Sequence, residues 1–161
     1  MKRNQIIIPY LTCTSEEELP EKDRILMQHA RNAAQRSYSP YSGFWVVAAI
    51  QLANGEIISG SNQENASFPV GTCAERAAIF YAHSLYPDVP IEAIAVTAES
   101  DKGVDSPVSP CGMCRQAIAE YENIQGSPIR ILLAGQTGPQ IILESVGLML
   151  PLQFNQSNLN K

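Results

Sequence analysis

The sequence predicts an α/β layered domain built on a mixed five-stranded sheet, and three observations lead there. Its periodic segments run helix, hairpin, helix, strand, helix, strand, strand, an order that interleaves helices with strands rather than segregating them. Asn54-Gly55 stands between two stretches that read as strands, and Asn-Gly is the strongest short-range hairpin signal. At 161 residues, with 45% apolar and 17% charged side chains, the chain suits one compact domain with its own core.

Residues 1–20 lack a clear period and end in the acidic run Glu16-Glu17-Glu18. They are expected to form an arm ahead of a domain spanning 21–154, with a polar tail over 155–161. From Glu21 to Ser37, the apolar residues Ile25, Leu26, Ala30, Ala33 and Ala34 recur at helical spacing, and Glu21 and Asp23 suit the helix start. Ser39-Pro40-Tyr41-Ser42-Gly43 breaks that helix. Phe44 to Leu52 and Glu56 to Gly60 form the hairpin strands. Asn62 to Gly71 is a polar loop, after which Thr72 is placed to cap a helix carrying Cys73, Glu75 and Ile79. Ile91 to Ala98 is a third strand, and Glu99 to Pro110 a loop feeding a helix over Cys111 to Tyr121. Ile129 to Ala134 and Ile141 to Leu143 complete the sheet, with a last helical turn over Glu144 to Leu148.

Charge and composition exclude several function classes. Eleven basic against sixteen acidic residues leave a net charge of −5, and no Lys or Arg run offers a track for phosphates. Nucleic acid is therefore not an expected partner. No apolar run reaches the roughly 18 residues of a membrane helix, and Pro9 interrupts Ile6-Ile7-Ile8 well short of a secretory signal core. No membrane partner is expected. Three of four cysteines sit in metal-type motifs and Cys13 stands apart among polar residues, usage that suits a reducing, cytoplasmic setting.

Chemistry concentrates in Cys73-Ala74-Glu75-Arg76 and Pro110-Cys111-Gly112-Met113-Cys114. Cys111 and Cys114, three apart, share one helix face and can grip one metal ion, with Cys73 supplying a third thiolate. Three protein ligands leave a tetrahedral zinc one position for a water, whose pKa then falls to roughly 7. Glu75, two residues from Cys73, should point elsewhere than the metal and act as general acid and base. Arg76, on the face of Cys73, would offset the charge of three thiolates. A glutamate near the first ligand and a later P-C-x-x-C is the signature of zinc deaminases. The bland alternatives are a closed structural zinc site completed by His29 or His83, and a redox pair of Cys111 with Cys114.

These stretches, with Tyr41-Ser42-Gly43-Phe44, Asn62-Gln63-Glu64-Asn65-Ala66 and Leu150-Pro151-Leu152-Gln153-Phe154, make the chain resemble the small zinc-dependent cytidine deaminases that act on free nucleosides. The resemblance runs from about residue 22 to 154. It implies a three-layer α-β-α fold, one zinc per chain, and deamination of cytidine and 2′-deoxycytidine in pyrimidine salvage. It also implies that Asn62 and Glu64 bind the ribose, that Phe44 stacks on the pyrimidine, and that the Ala74 backbone N–H meets the base carbonyl. A homotetramer is implied as well, in which Phe154 enters a neighbouring subunit's site and Phe68 is a further contact between subunits.

The chain departs from the pattern in three places. Trp45-Val46-Val47-Ala48 replaces the usual Pro-Val-Gly-Ala, Phe68 replaces a frequent tyrosine, and Asn155 replaces a glycine. Trp45 and Phe68 keep open a deaminase of another amino-pyrimidine nucleoside, such as blasticidin S. A non-catalytic, zinc-stabilised binding module is the rival of a different class.

Overall fold

The computed structural model describes residues 1–159. Its elements are β1 (Leu11–Cys13), α1 (Glu21–Asn32), β2 (Phe44–Leu52), β3 (Ile57–Ser61), α2 (Ala74–Leu85), β4 (Ile91–Ser100), α3 (Gly112–Gln125), β5 (Arg130–Leu133) and β6 (Gln140–Leu143). The strands form one sheet in the order β1-β6-β5-β4-β2-β3. Only β4 and β5 run parallel, joined through α3, while the other neighbours are antiparallel. The sheet is mixed, as expected, but has six strands rather than five.

The sixth is β1, from the stretch expected to be an arm that docks on the domain or on a partner. Three residues are too few to show a period, yet Leu11, Thr12 and Cys13 pair with Ile142, Ile141 and Gln140. Cys13 and Leu19 are buried with Leu26 and Met27 of α1. Burial, not local propensity, makes this strand.

Alternation along the strands sorts the core into two layers. Ala48, Ile50 and Leu52 of β2 join Ile94, Val96, Ala78 and Ile118 on the side of α2 and α3. Val47 and Ala49 face the other way, toward α1 and the turn after it. The result is the α-β-α sandwich the resemblance implies, with α1 alone on one face. Asp23, 2% exposed, pairs with Arg130 of β5 and ties α1 to the sheet.

Several boundaries shift from the sequence expectation. α1 stops at Asn32 and tightens into a 3₁₀ turn over Ala34–Arg36, because Tyr38 turns away to bridge Gln63. α3 continues to Gln125, whose side chain bonds both the N–H and the carbonyl of Ile91 at 2.9 Å. The cap of α2 is Cys73 and not Thr72. The last turn is a 3₁₀ turn over Val146–Leu148. In the tail, Asn155 caps a short turn over Gln156–Asn158, and the final two residues lie outside those described. The hairpin forms as read, with Gly55 at φ +92° and the Leu52 N–H donating to the Glu56 carbonyl at 2.9 Å.

One contact sets the depth of α2. Its buried face is Ala74, Ala78 and Ala82, all fully buried, so the helix lies close on β3, and Gly60 sits directly beneath. A Cβ on Gly60 would stand 2.6 Å from the Ala78 nitrogen and 2.9 Å from the Ala74 carbonyl oxygen. Neither backbone atom can move without moving the helix. Gly60→Ala is expected to cost about 1–3 kcal/mol or more, a fall in Tm of roughly 2 to 12 °C for a chain this size. An unchanged thermal melt would show that α2 has slack against the sheet.

Candidate functional site

Phe44 opens β2, Ser61 ends β3 and Ser100 ends β4, and the register sets these positions at one end of the sheet. The starts of α2 and α3 meet there. Cys73 is the N-cap of α2, Cys111 is the N-cap of α3, and Cys114 lies in the first turn of α3. Helix starts present unpaired N–H groups and the positive dipole end, which favour thiolates.

The three sulfurs converge. Cys73 Sγ is 3.9 Å from Cys111 Sγ, Cys111 Sγ is 3.5 Å from Cys114 Sγ, and all three lie within 4.8 Å of one another. Zn–S bonds of about 2.3 Å in tetrahedral array set sulfurs about 3.8 Å apart. The cradle fits a zinc ion. Three converging thiols are more than a redox pair needs. Among the described residues neither histidine joins the cluster: His29 is exposed on α1 and His83 stacks on Tyr121 at 5.0 Å. A closed structural site therefore lacks its fourth ligand, and the open geometry of a catalytic site remains.

The thiols share their protons unequally. The Cys73 thiol is lowered to about 5, chiefly by a hydrogen bond from Cys114, with Arg76 adding a bond and a charge against the opposing effect of burial. The Cys114 thiol is pushed up by its bond to Cys73, then by burial and the Glu75 charge. Burial works against the Arg76 guanidinium, but Cys73 and Cys114 outweigh it and hold the charge on. The Arg76 Nε is buried with no hydrogen-bond partner among the described residues.

Glu75 is 4% exposed, and its Oε2 is buried with no hydrogen-bond partner among the described residues. Burial, reinforced by the Cys73 charge, pushes its carboxyl up. Such an orphaned oxygen is costly in a structural role, and it borders the same cavity as Cys73 and Cys111. A carboxyl placed this way can take and give protons beside a metal without binding it.

The cavity is about 640 Å³, within the usual range for small-molecule sites. Phe44, Asn62, Glu64 and Phe68 border it. Ala74, Cys114 and Arg76 do not: Ala74 and Cys114 lie fully buried behind the wall, with Ala74 the first residue of α2. Phe154 does not border this chain's cavity either. It is 58% exposed, and its carbonyl accepts from Gln116 Nε2 at 2.9 Å. Trp45 and Val47 are also absent from the lining; strand parity turns them to the α1 side, so their bulk does not narrow the cavity. Phe68, 75% exposed, meets Tyr41 edge to face at 5.9 Å across the rim.

The sequence reading passed over Tyr41, Ser42, Val46, Thr72, Val108 and Ser109 as lining residues. Ser109 had a signal, since it directly precedes Pro110-Cys111. The Tyr41 and Ser42 N–H groups donate to Glu64 Oε2 at 2.8 and 3.3 Å. With the Ser42 hydroxyl as the leading cause, these bonds lower the Glu64 pKa. An ionised carboxylate therefore borders the cavity, and among the described residues no Lys or Arg does.

Comparison with known proteins agrees with this arrangement. The family model described as the cytidine and deoxycytidylate deaminase zinc-binding region matches residues 20–126. A cytidine deaminase of Halalkalibacterium halodurans is 43% identical over 137 residues, covering 85% of this chain and 97% of the relative. One from Sporosarcina psychrophila is 38% identical over 84% of this chain and 93% of its own. The crystal structure of cytidine deaminase from Burkholderia pseudomallei superposes with a TM-score of 0.71 at 34% identity, covering 84% of this chain and all of that one.

Proposed function

The chain belongs to the cytidine and deoxycytidylate deaminase family with its zinc-binding region, and on that footing we propose that it hydrolyses cytidine and 2′-deoxycytidine to uridine and 2′-deoxyuridine in pyrimidine salvage. The observation that carries this reading is the orphaned Glu75 Oε2 beside three converging thiols at the floor of a nucleoside-sized cavity. Cys73, Cys111 and Cys114 would hold the zinc. When bound, the metal supplies a Lewis acid that brings the pKa of water near 7.

The chain's own residues do the rest. Water adds to C4 of the pyrimidine, and the C4–N bond then breaks to release ammonia, leaving a carbonyl. Glu75 takes a proton from the attacking water, delivers one to ring N3, and passes the last to the departing amine. Phe44 stacks on the base and the Ala74 N–H, unpaired at the helix start, meets the base carbonyl. Arg76 moderates the charge of the thiolates, keeping the metal electrophilic. Glu64, ionised at the sugar end, favours hydroxyls and repels phosphate; with no cation bordering the cavity among the described residues, a nucleoside suits it better than a nucleotide.

Exposed Phe154 and its preceding Leu152, 94% exposed at φ +58°, suit a homotetramer in which this loop enters a neighbour's cavity. Four unpaired cysteines suit the cytoplasm, and no helix among the described residues is long and apolar enough to cross a membrane. With Trp45 turned from the cavity, blasticidin S rests on Phe68 alone. The test is the loss of cytidine's ultraviolet absorbance, beside deoxycytidine, adenosine and blasticidin S, with zinc-quantified protein. Turnover of cytidine at one zinc per chain is the expected result. Full zinc with no turnover of any of them would favour the binding module.

A further inference from the structure

Glu16 is not a free surface charge. Its neighbours Glu17 and Glu18 are exposed, whereas Glu16 is half-buried and its Oε1 accepts from Arg31 Nε at 2.8 Å. Arg31 is the penultimate residue of α1. Its Nη1 donates to the carbonyls of Gly135 and Gln136 at 3.1 and 3.3 Å. One guanidinium thus joins the segment ahead of α1, α1 itself and the turn between β5 and β6.

That turn is a platform. The Gly135 carbonyl also accepts from Thr97 Oγ1, fully buried on β4, at 3.1 Å, so both of its lone pairs are filled. Against the turn lies the loop over 101–110. The Thr137 N–H donates to the Val104 carbonyl at 3.0 Å, and the Val108 N–H donates to the Ala134 carbonyl at 3.3 Å. A Cβ on Gly135 would stand 2.6 Å from the carbonyl oxygens of both Val104 and Ser106, so the two backbones touch. Val108 and Ser109, near the end of this loop, line the cavity. Whatever fixes the turn fixes that wall.

Cys111 is held from the other direction. Arg115 Nε donates to the Pro110 carbonyl at 2.8 Å and its Nη1 to the Met149 carbonyl at 3.0 Å, so α3 anchors the sulfur-bearing stretch itself. We propose that Arg31 is a positioning residue, oriented by Glu16, that braces the Val108-Ser109 wall of the cavity through the Gly135 and Gln136 carbonyls. Glu16 precedes residue 20, where the family match begins, so the brace reaches the cavity from outside the matched region. Its effect on substrate rests on the deaminase reading. Carbonyls bonded to a guanidinium are charge-assisted acceptors, while the half-exposed Glu16 pair is weaker. Removing either partner should therefore act in the same way, with the larger effect from Arg31.

The experiment reads amide exchange and kinetics in Arg31→Met, which keeps the apolar stem and removes every donor, and in Glu16→Ala. In Arg31→Met the Val108 and Thr137 N–H groups should exchange roughly ten- to hundred-fold faster, the worth of a bond to a charged group. The Ala134 N–H, paired with the Val96 carbonyl of β4 at 2.9 Å, is the reference and should change far less. KM for cytidine should rise about three- to thirty-fold, with kcat and zinc per chain within about two-fold of wild-type. Glu16→Ala should show the same pattern at about two- to five-fold.

Equal acceleration at all three amides is a general loss of stability and overturns the proposal, as does an unchanged KM or a loss of zinc. Should Arg31→Met fold poorly, Glu16→Ala carries the test alone, and wild-type exchange at Val108 and Thr137 in that variant overturns the brace. The exchange is read without substrate. A wild-type protein inert toward every nucleoside, with both amides responding as expected in the variants, would sink the deaminase reading and leave the brace standing.

Discussion

Glu75→Gln is expected to lower kcat for cytidine by roughly 10²- to 10⁴-fold, the range a positioned acid and base supplies, while zinc content and Tm stay near wild-type. The substitution preserves shape. Because Glu75 Oε2 has no hydrogen-bond partner among the described residues, replacing it with an amide nitrogen breaks no bond that holds the fold. Glu75 is also absent from the cluster of converging ligand atoms among the described residues, so zinc content should survive its replacement. The measurement is kcat with zinc per chain determined on the same preparation. A near-normal rate removes Glu75 from proton transfer, and a loss of zinc makes it a ligand.

Cys114→Ser should act on the other half of the site. Zinc is expected to fall from about one per chain to near zero, with turnover lost and Tm lowered to that of the chelator-treated wild-type protein. Cys114 is fully buried, 3.5 Å from Cys111 Sγ, so no water-exposed rearrangement offers a substitute donor. Structural zinc sites are worth about 10–16 kcal/mol of folding free energy in small peptides, and losing one of three thiolates forfeits much of that. Cys13→Ser is the control: Cys13 is buried beside α1 in the opposite layer and should leave zinc untouched. Full zinc retention in Cys114→Ser would show that another residue completes the cradle.

What the sequence disclosed and what it withheld follow the range of the interactions. The sulfur cradle was legible because spacing along a helix fixes Cys111 against Cys114, and only one more motif cysteine was left to join them. Glu75 was legible from the same helix geometry. The hairpin at Asn54-Gly55 needed two residues. By contrast, β1 forms through partners some 130 positions away in β6, and no local pattern in three residues announces it. The hydrogen bonds of Asn62 with Ser37 and Ser39 likewise form only after the first helix has turned back on the sheet. Trp45 is a different case. The period of two along β2 already sets it opposite Phe44, so its absence from the cavity is legible in strand parity alone.

Strand β1 has a meaning for solubility as well as for shape. Without it, β6 would be the last strand of the sheet, offering open N–H and carbonyl groups around Ile141 and Ile142, a template for another chain's strand. The family match begins at residue 20, so the segment that seals this border lies ahead of the shared region. Tethered in the same chain, it is a built-in plug whose local concentration, on the order of millimolar for a short flexible tether, outcompetes strands arriving from solution. A version that starts at residue 20 would keep every residue of the zinc cradle and still lose its protection against sticking to itself.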